Sequence, residues 1–387
     1  MNNNQLRALI FHPALTPYRL DLFNDLSKRC QLHLIFLDQD AILQKFDQSQ
    51  LRKKLQSNHE YLTYAFSFMK RRLSFSVWSK INRFKPNVVV TSEFSPTSII
   101  TAANRLSSGN KFGHVVWTDD NPESVLADSL IRRLFRRLIL PLVSGMVVLS
   151  EEAAQLYRGR YNARCPMGIS PILNNEMVFR KALAQAEETA KSTAALNDLE
   201  GKRLLLFVGR LAPSKRIDRI IQAFATIQQS ATDVVLALVG DGPERNALQD
   251  LAQRLGVSHK IIFAGRLEED ALYAWYLLGS IFVFTPEQET FGAVVNEALL
   301  AGMPVICSSR AGARTIIRDG INGAVVNPED SAAIQATIFE YLSKTPPISV
   351  GRQVGLKPSL MGIHFAEAVE NFISLLETVS KKTIKAL

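Results

Sequence analysis

The chain has 387 residues, 47% of them hydrophobic and 21% charged, and carries a formal net charge of +9. That length suits two domains of ordinary size, and the composition is that of a folded globular protein. No apolar run reaches the ~18 residues of a membrane-spanning helix. The opening apolar stretch stops at His12-Pro13, too short for a signal-peptide core and without a small-residue cleavage site.

Leu6–Phe11 reads as a first strand, followed by a loop and by apolar residues at helical spacing from Tyr18 to Leu26. Strand, short loop and helix at the start open a doubly wound domain. Gln31–Phe36 is the next strand. Pro86–Thr91 contains a third, with Glu93 at its carboxyl end, where site residues concentrate in open α/β sheets. The plain alternative for Glu93 is a helix N-terminal charge. His114–Trp117 is a strand running into Thr118-Asp119-Asp120-Asn121-Pro122. His114 lies in the strand body and reads as a core histidine.

Ser129–Pro141 is strongly amphipathic: apolar residues at Leu130, Ile131, Leu134, Phe135, Leu138 and Ile139, with Arg132, Arg133, Arg136 and Arg137 between them. We expect the apolar face in the core and the arginine face in water, free to meet anionic lipid headgroups. The basic balance suits anionic partners in general. Nucleic acid is not expected, since no zinc pattern, basic-aromatic alternation or RNA-binding signature is present. Cys30, Cys165 and Cys307 are scattered, with neither a disulfide framework nor a metal spacing, which fits a reducing cytoplasm.

From Leu204 onward strand and helix alternate regularly, the pattern of a parallel sheet covered on both faces. Leu204–Val208 leads into Gly209-Arg210-Leu211 and a loop with Lys215. Val234–Val239 ends in Gly240-Asp241-Gly242-Pro243-Glu244. Ile261–Ala264 leads to Gly265-Arg266-Leu267. Ile281–Phe284 is followed by T-P-E-Q-E-T-F-G and then by apolar residues at helical spacing from Val294 to Ala301. Glu289 lies in that loop and Glu297 eight positions later, about two helical turns on. Gly292 permits close backbone approach to a ligand. Glu297 interrupts an apolar face, so its carboxylate needs donors, and sugar hydroxyls would serve. The plain alternative is two solvated carboxylates.

The run E-T-F-G-A-V-V-N-E-A-L-L-A-G-M-P-V-I resembles the Glu-x7-Glu signature of the retaining glycosyltransferases of family 4, a group 1 family with the GT-B fold. The G-R-L…K and G-D-G-P-E elements match in the expected order, and the likeness is stronger after Ser150 than before it. It implies an α/β protein of two Rossmann-like doubly wound domains facing across a cleft. The domains would be 1–170 for the acceptor, a hinge at 171–200, 201–360 for the nucleotide sugar, and 361–387 as a helix returning to the first domain. It implies transfer of a sugar from a nucleoside diphosphate sugar to the hydroxyl of a glycan or lipid-linked acceptor, in bacterial cell-surface polysaccharide or lipopolysaccharide assembly. The expected place is the cytoplasm, peripheral at the inner face of the membrane. A nucleotide-sugar epimerase of the same fold and a non-catalytic binding protein are the alternatives.

By the same resemblance Arg210 and Lys215 hold the diphosphate, where fixed cations stabilise the charge of the leaving nucleotide. Glu289 holds the donor sugar, Glu297 the ribose hydroxyls, Phe291 and Gly292 shape that loop, and Arg266 and Leu267 lie by the base. Acceptor-side candidates are Asp119, Glu93, Tyr18 and Arg19, and a solvent-facing helix position is the plain reading of Arg19. No cofactor or metal is expected. The chain departs from the pattern at three places: the first loop has Ala14, Thr16 and Pro17 in place of a Gly-Gly pair, Arg216 replaces Gly after Lys215, and Ala311-Gly312 with Thr315 replace a Gly-Gly pair and an acid.

Overall fold

The structure, a computed structural model, describes residues 5–38, 46–62, 66–68, 71–73, 76–107, 111–349 and 355–385. The chain forms two compact units, Met1–Asn174 with Phe365–Leu387, and Asn175–His364.

The first unit is built on a seven-stranded parallel sheet. Its strands are β1 (Arg7–His12), β2 (Gln31–Phe36), β3 (Asn58–Tyr61), β6 (Val88–Ser92), β7 (Gly113–Trp117), β8 (Gly145–Val148) and β9 (Met167–Ile169). A small antiparallel pair, β4 (Phe66–Phe68) and β5 (Arg71–Leu73), stands apart from it. The sheet order is β3-β2-β1-β6-β7-β8-β9. Helices cover both faces, so the central strands read as unbroken apolar runs such as Ala8–Phe11 and Val88–Val90, all fully buried.

The C-terminal helix Phe365–Lys385 belongs to this unit and lies across β7, β8 and β9. Glycines in those three strands admit it. A Cβ on Gly113 would stand 2.0 Å from Val379 Cγ1, one on Gly145 2.9 Å from Val379 Cγ2, and one on Gly168 2.9 Å from the Asn371 carbonyl.

The second unit is a six-stranded parallel sheet of β10 (Arg203–Val208), β11 (Val234–Val239), β12 (Ile261–Gly265), β13 (Ile281–Phe284), β14 (Val305–Ser308) and β15 (Gly323–Val326). Its order is β12-β11-β10-β13-β14-β15. Numbered within the unit this is 3-2-1-4-5-6, the doubly wound order of nucleotide-binding sheets. The order reverses between β10 and β13, and ligands of such sheets bind beyond the strand ends at that point.

The expected hinge at 171–200 is not a linker. Residues Glu176–Gln185 and Glu187–Leu196 form two helices of the second unit. Phe179 with Leu183, and Ala190 with Ala194, stand four apart and are buried on one side of each helix. They pack on the helix Glu269–Leu278, with the Phe179 ring 5.5 Å from that of Tyr273 and 6.2 Å from that of Tyr276. The alanines that made this stretch look featureless are what lets the helices sit close. The second unit accordingly runs from Asn175 to His364.

Candidate functional site

In the second unit the loops after β10 and β13 flank the reversal point. Arg210 follows β10 and is exposed, and Lys215 closes a short 3-10 turn, Pro213–Lys215. From the β13 side Glu289 reaches Lys215 and forms an ion pair with it, both side chains being mostly buried. The ammonium also lies 5.3 Å from the centre of the Phe284 ring. Two residues 74 apart in sequence are thus joined across the reversal point.

Gly292 explains the turn into the helix Ala293–Leu300. Its φ is +95°, and a Cβ there would stand 2.6 Å from Phe284 Cε1, so any side chain would both strain the backbone and displace the ring under Lys215. Phe291 is buried and its carbonyl accepts from Ala313 N at 2.7 Å. The altered loop at Ala311–Thr315 keeps the contacts that need a glycine. Gly312 N donates to the Glu289 carbonyl at 3.1 Å, and a Cβ on Gly312 would meet the Thr290 carbonyl at 2.1 Å. Ala311 is buried with φ −95°, so its methyl group is accommodated.

Glu297 is half-buried and held from inside. Its Oε2 accepts from the hydroxyl of Tyr276 at 2.6 Å. Burial, then the charge of Glu297, raises the Tyr276 pKa well above its ordinary value, so the phenol stays a donor. Sequence reasoning missed Tyr276, since an aromatic in the apolar run A-W-Y-L-L carries no polar signal of its own.

Arg216 occupies the position where the resemblance led us to expect glycine, and it takes the left-handed conformation, φ +49°. Its guanidinium is held by both carboxylate oxygens of Asp218, at 2.9 and 3.1 Å, and lies 3.6 Å from Glu287. Burial offsets only part of what Asp218 contributes, and the Arg216 pKa is raised. Arg266 and Leu267 follow β12, the edge strand two places from the reversal point, and Arg266 pairs with Glu268 at 2.6 Å. The structure therefore brings Lys215, Glu289, Phe291 and Gly292 together and leaves Arg266 and Leu267 at the sheet edge.

The first unit reverses order between β1 and β6, and the acceptor-side candidates gather there. Arg19 is not solvent-facing: it is 1% exposed, pairs with Asp119, and places its guanidinium carbon 4.4 Å from the centre of the Trp117 ring. Tyr18 beside it is half-buried. Glu93 follows β6 with φ +59°. Burial, then the charges of Asp120 and Asp119, push its pKa up to about 8. His114 is a core residue, bonded to Thr91 Oγ1 at 2.9 Å, with its pKa lowered to about 3 by burial.

Behind these groups lies a buried network that the sequence did not announce. Arg136 donates to Asp120 at 2.6 Å and to Asp128 at 2.5 Å. Tyr157 donates to Asp120 at 2.6 Å, and Tyr161 donates to Asp128. Burial works against the Arg136 charge, but Tyr157, Asp120 and Asp128 outweigh it and its pKa is raised.

This network overturns the expected orientation of the helix Leu130–Ile139. Arg136 is 1% exposed and points inward with Phe135 and Ile139, so it is not available to a membrane. Leu130, Ile131, Leu134 and Leu138 are 80%, 60%, 58% and 60% exposed. The leucines stand four apart on one outward stripe, with Arg137 and Arg133 at its flank. The two acids inside reward the burial of one arginine, and turning that arginine inward turns the leucines out.

Among the described residues no three His, Cys, Asp or Glu side chains gather at metal-binding distance. No helix of the described residues is long and apolar enough to cross a membrane.

Residues 189–348 match the family model of glycosyl transferases group 1. That segment carries the similarity to the group 1 glycosyl transferases. It contains the whole reversal point of the second unit, from Arg210 to Glu297. Three curated relatives are similar to the chain. An uncharacterized glycosyltransferase of Methanocaldococcus jannaschii is 34% identical over 41% of this chain and 40% of its own length. An alpha-monoglucosyldiacylglycerol synthase of Streptococcus pneumoniae is 26% identical over 58% and 50%, and a D-inositol 3-phosphate glycosyltransferase of Streptomyces scabiei 29% identical over 66% and 55%. The chain thus matches about half the length of these relatives. Among solved structures, Anabaena HepE in complex with UDP aligns with a TM-score of 0.70 at 16% identity, covering 99% of this chain and 100% of that one. The lipopolysaccharide outer core galactosyltransferase WaaB aligns with a TM-score of 0.67 at 14% identity, covering 96% and 99%. The fold is GT-B, with two Rossmann-like parallel-sheet units.

Proposed function

We propose that the protein is a glycosyltransferase that moves a sugar, with retention at the anomeric carbon, from a nucleoside diphosphate sugar to an acceptor hydroxyl. The observation that carries this is the Lys215–Glu289 pair spanning the reversal point of the second unit, with exposed Arg210 on the same loop as Lys215. In this reading Lys215 and Arg210 bind the diphosphate and stabilise the charge of the leaving nucleotide, the task a metal performs in other transferases. Glu289 exchanges the Lys215 ammonium for donor-sugar hydroxyls when the diphosphate takes up the lysine. Glu297, oriented by Tyr276, accepts from the ribose hydroxyls. Phe291 and Gly292 form the floor, and Arg266 with Leu267 lies on the side of the base.

The first unit supplies the acceptor groups in this reading, with Asp119 aimed by Arg19 and with Glu93 and Tyr18 beside it. The acceptor is a glycan or a lipid-linked glycan of a cell-surface polysaccharide or lipopolysaccharide. The similarity to a glycolipid synthase and to an outer core galactosyltransferase supports that class. The outward leucine stripe with Arg132, Arg133 and Arg137 supports work at the surface of an anionic membrane.

The test is a thermal-shift panel of nucleoside diphosphates on the wild type and Lys215→Ala, followed by donor turnover and the anomeric configuration of the product. A ligand at about 100 times its Kd stabilises the native state by about 2.7 kcal/mol. One diphosphate is expected to raise the wild-type midpoint and not that of the variant. An equal response in both would sink the assignment of Lys215, and an inverted product would sink retention.

A further inference from the structure

The first unit holds a cavity of about 770 Å³ that none of the site residues lines. It opens at the amino-terminal edge of the sheet, where Lys111 precedes β7, Ser144 precedes β8 and Pro166 precedes β9. Asp119 and Glu93 follow the carboxyl ends of β7 and β6. The cavity and the acceptor candidates are therefore separated by the length of β7, about 15 Å at ~3.3 Å per residue.

Four cations from four separate elements converge on it. Arg105 comes from the helix Pro96–Ser107, Lys111 from the approach to β7, Arg164 from the approach to β9, and Lys382 from the C-terminal helix. Among the described residues no carboxylate lines the cavity. Among the described residues none of the four forms an ion pair, whereas elsewhere in the unit Arg29 pairs with Glu370, Arg158 with Glu151, and Lys80 and Arg83 with Glu60. Arg105 donates to the Leu142 carbonyl at 3.0 Å, and burial lowers its pKa. Like charges drawn around one concavity repel, and an anion between them removes that cost. The wall also carries the apolar side chains of Leu140, Val143 and Val379, together with the polar Ser144, Asn162 and Thr383.

We propose that this cavity binds a phosphate group, as a second site separate from sugar transfer. Four cations and the apolar side chains of Leu140, Val143 and Val379 in one cavity match a phosphate carried on an apolar chain. Inorganic phosphate shares the charged half of that chemistry. The cavity begins where the outward leucine helix ends, since Leu140 belongs to the 3-10 turn that follows Ile139. A headgroup phosphate taken up here would sit next to the stripe proposed to rest on the membrane.

The experiment measures binding of dioctanoyl phosphatidic acid below its micellar concentration, and of inorganic phosphate, to the full chain by thermal shift and calorimetry. The variant is Lys111→Ser with Arg164→Ser and Lys382→Ser, three exposed side chains whose loss leaves the core intact. The single variant Lys382→Glu is the second reagent. Wild type is expected to bind the lipid phosphate, and the triple variant to bind it about tenfold or more weakly, each tenfold step being worth about 1.4 kcal/mol. Binding of lipid and inorganic phosphate in competition assigns the site to the phosphate alone. Binding of lipid only assigns it to headgroup and chain together. The proposal is overturned if neither binds wild type, or if the variants bind as tightly as wild type. The diphosphate response of the second unit is expected to be the same in wild type and variants, so a failure here is separable from a failure of the donor site.

Discussion

Replacing Arg136 with methionine removes one cation from between two buried carboxylates. Asp120 and Asp128 are 2.6 and 2.5 Å from the guanidinium, and Tyr157 and Tyr161 already donate to the same two acids. The guanidinium carbon also lies 5.3 to 5.7 Å from the rings of Phe94, Tyr157 and Tyr161. Methionine fills much of the volume but leaves both acids without their cation. Breaking a buried ion pair from one side costs about 3–5 kcal/mol. In a unit of about 200 residues each kcal/mol moves the midpoint by roughly 2–4 °C, so the expected loss is about 6–20 °C. Thermal unfolding gives the midpoint, and peptide-resolved hydrogen exchange shows whether the loss is confined to the first unit. Adding Asp120→Asn and Asp128→Asn to Arg136→Met should recover part of the loss, because the penalty lies in the unpaired carboxylates. A midpoint within about 2 °C of wild type would show that the network does not hold the helix Leu130–Ile139 in place. The inward turn of that helix would then need another cause.

Glu93 makes stability depend on pH. Its folded pKa, pushed to about 8 by burial and by Asp120 and Asp119, lies above the value of 4.5 for a free glutamate. The folded state therefore binds a proton that the unfolded state has lost between those values, and stability falls as pH rises from about 4.5 to about 8. Glu93→Gln is expected to flatten that slope in denaturant titrations across the window, and an unchanged slope would assign it to other groups. The outward leucines predict that Leu134→Glu with Leu138→Glu abolishes flotation with vesicles rich in phosphatidylglycerol. Both positions are exposed, so the midpoint should move by less than about 0.5 kcal/mol equivalent. Retained flotation would move membrane contact off this helix, and a dimer lost in the variant would make the stripe a self-association face.

Most of the strands were legible because they are short apolar runs with a turn signal after them, and local pattern is what such runs express. The loop from Thr285 to Gly292 was legible for the same reason, since a strand, a polar turn, a glycine and an apolar-periodic helix lie within twenty residues. Residues 175–200 misled because alanine and polar residues look alike in a linker and on a closely packed helix. Glu297 could be read as a site candidate from its place on an apolar face, but its anchor Tyr276 lies 21 residues away on another helix.

The sequence alone determined two parallel-sheet units, the loops beyond their strands, and the kinds of charge those loops carry. Periodicity and turn chemistry act over a few residues, and so they can be read along the chain. Tertiary structure decided which charges meet. Arg19 joins Asp119 across 100 positions and Lys215 joins Glu289 across 74. It also decided which face of the helix Leu130–Ile139 turns inward. The hydrophobic pattern favoured the leucines, but burying a side chain depends on what waits for it, and here two carboxylates and two tyrosines waited for Arg136.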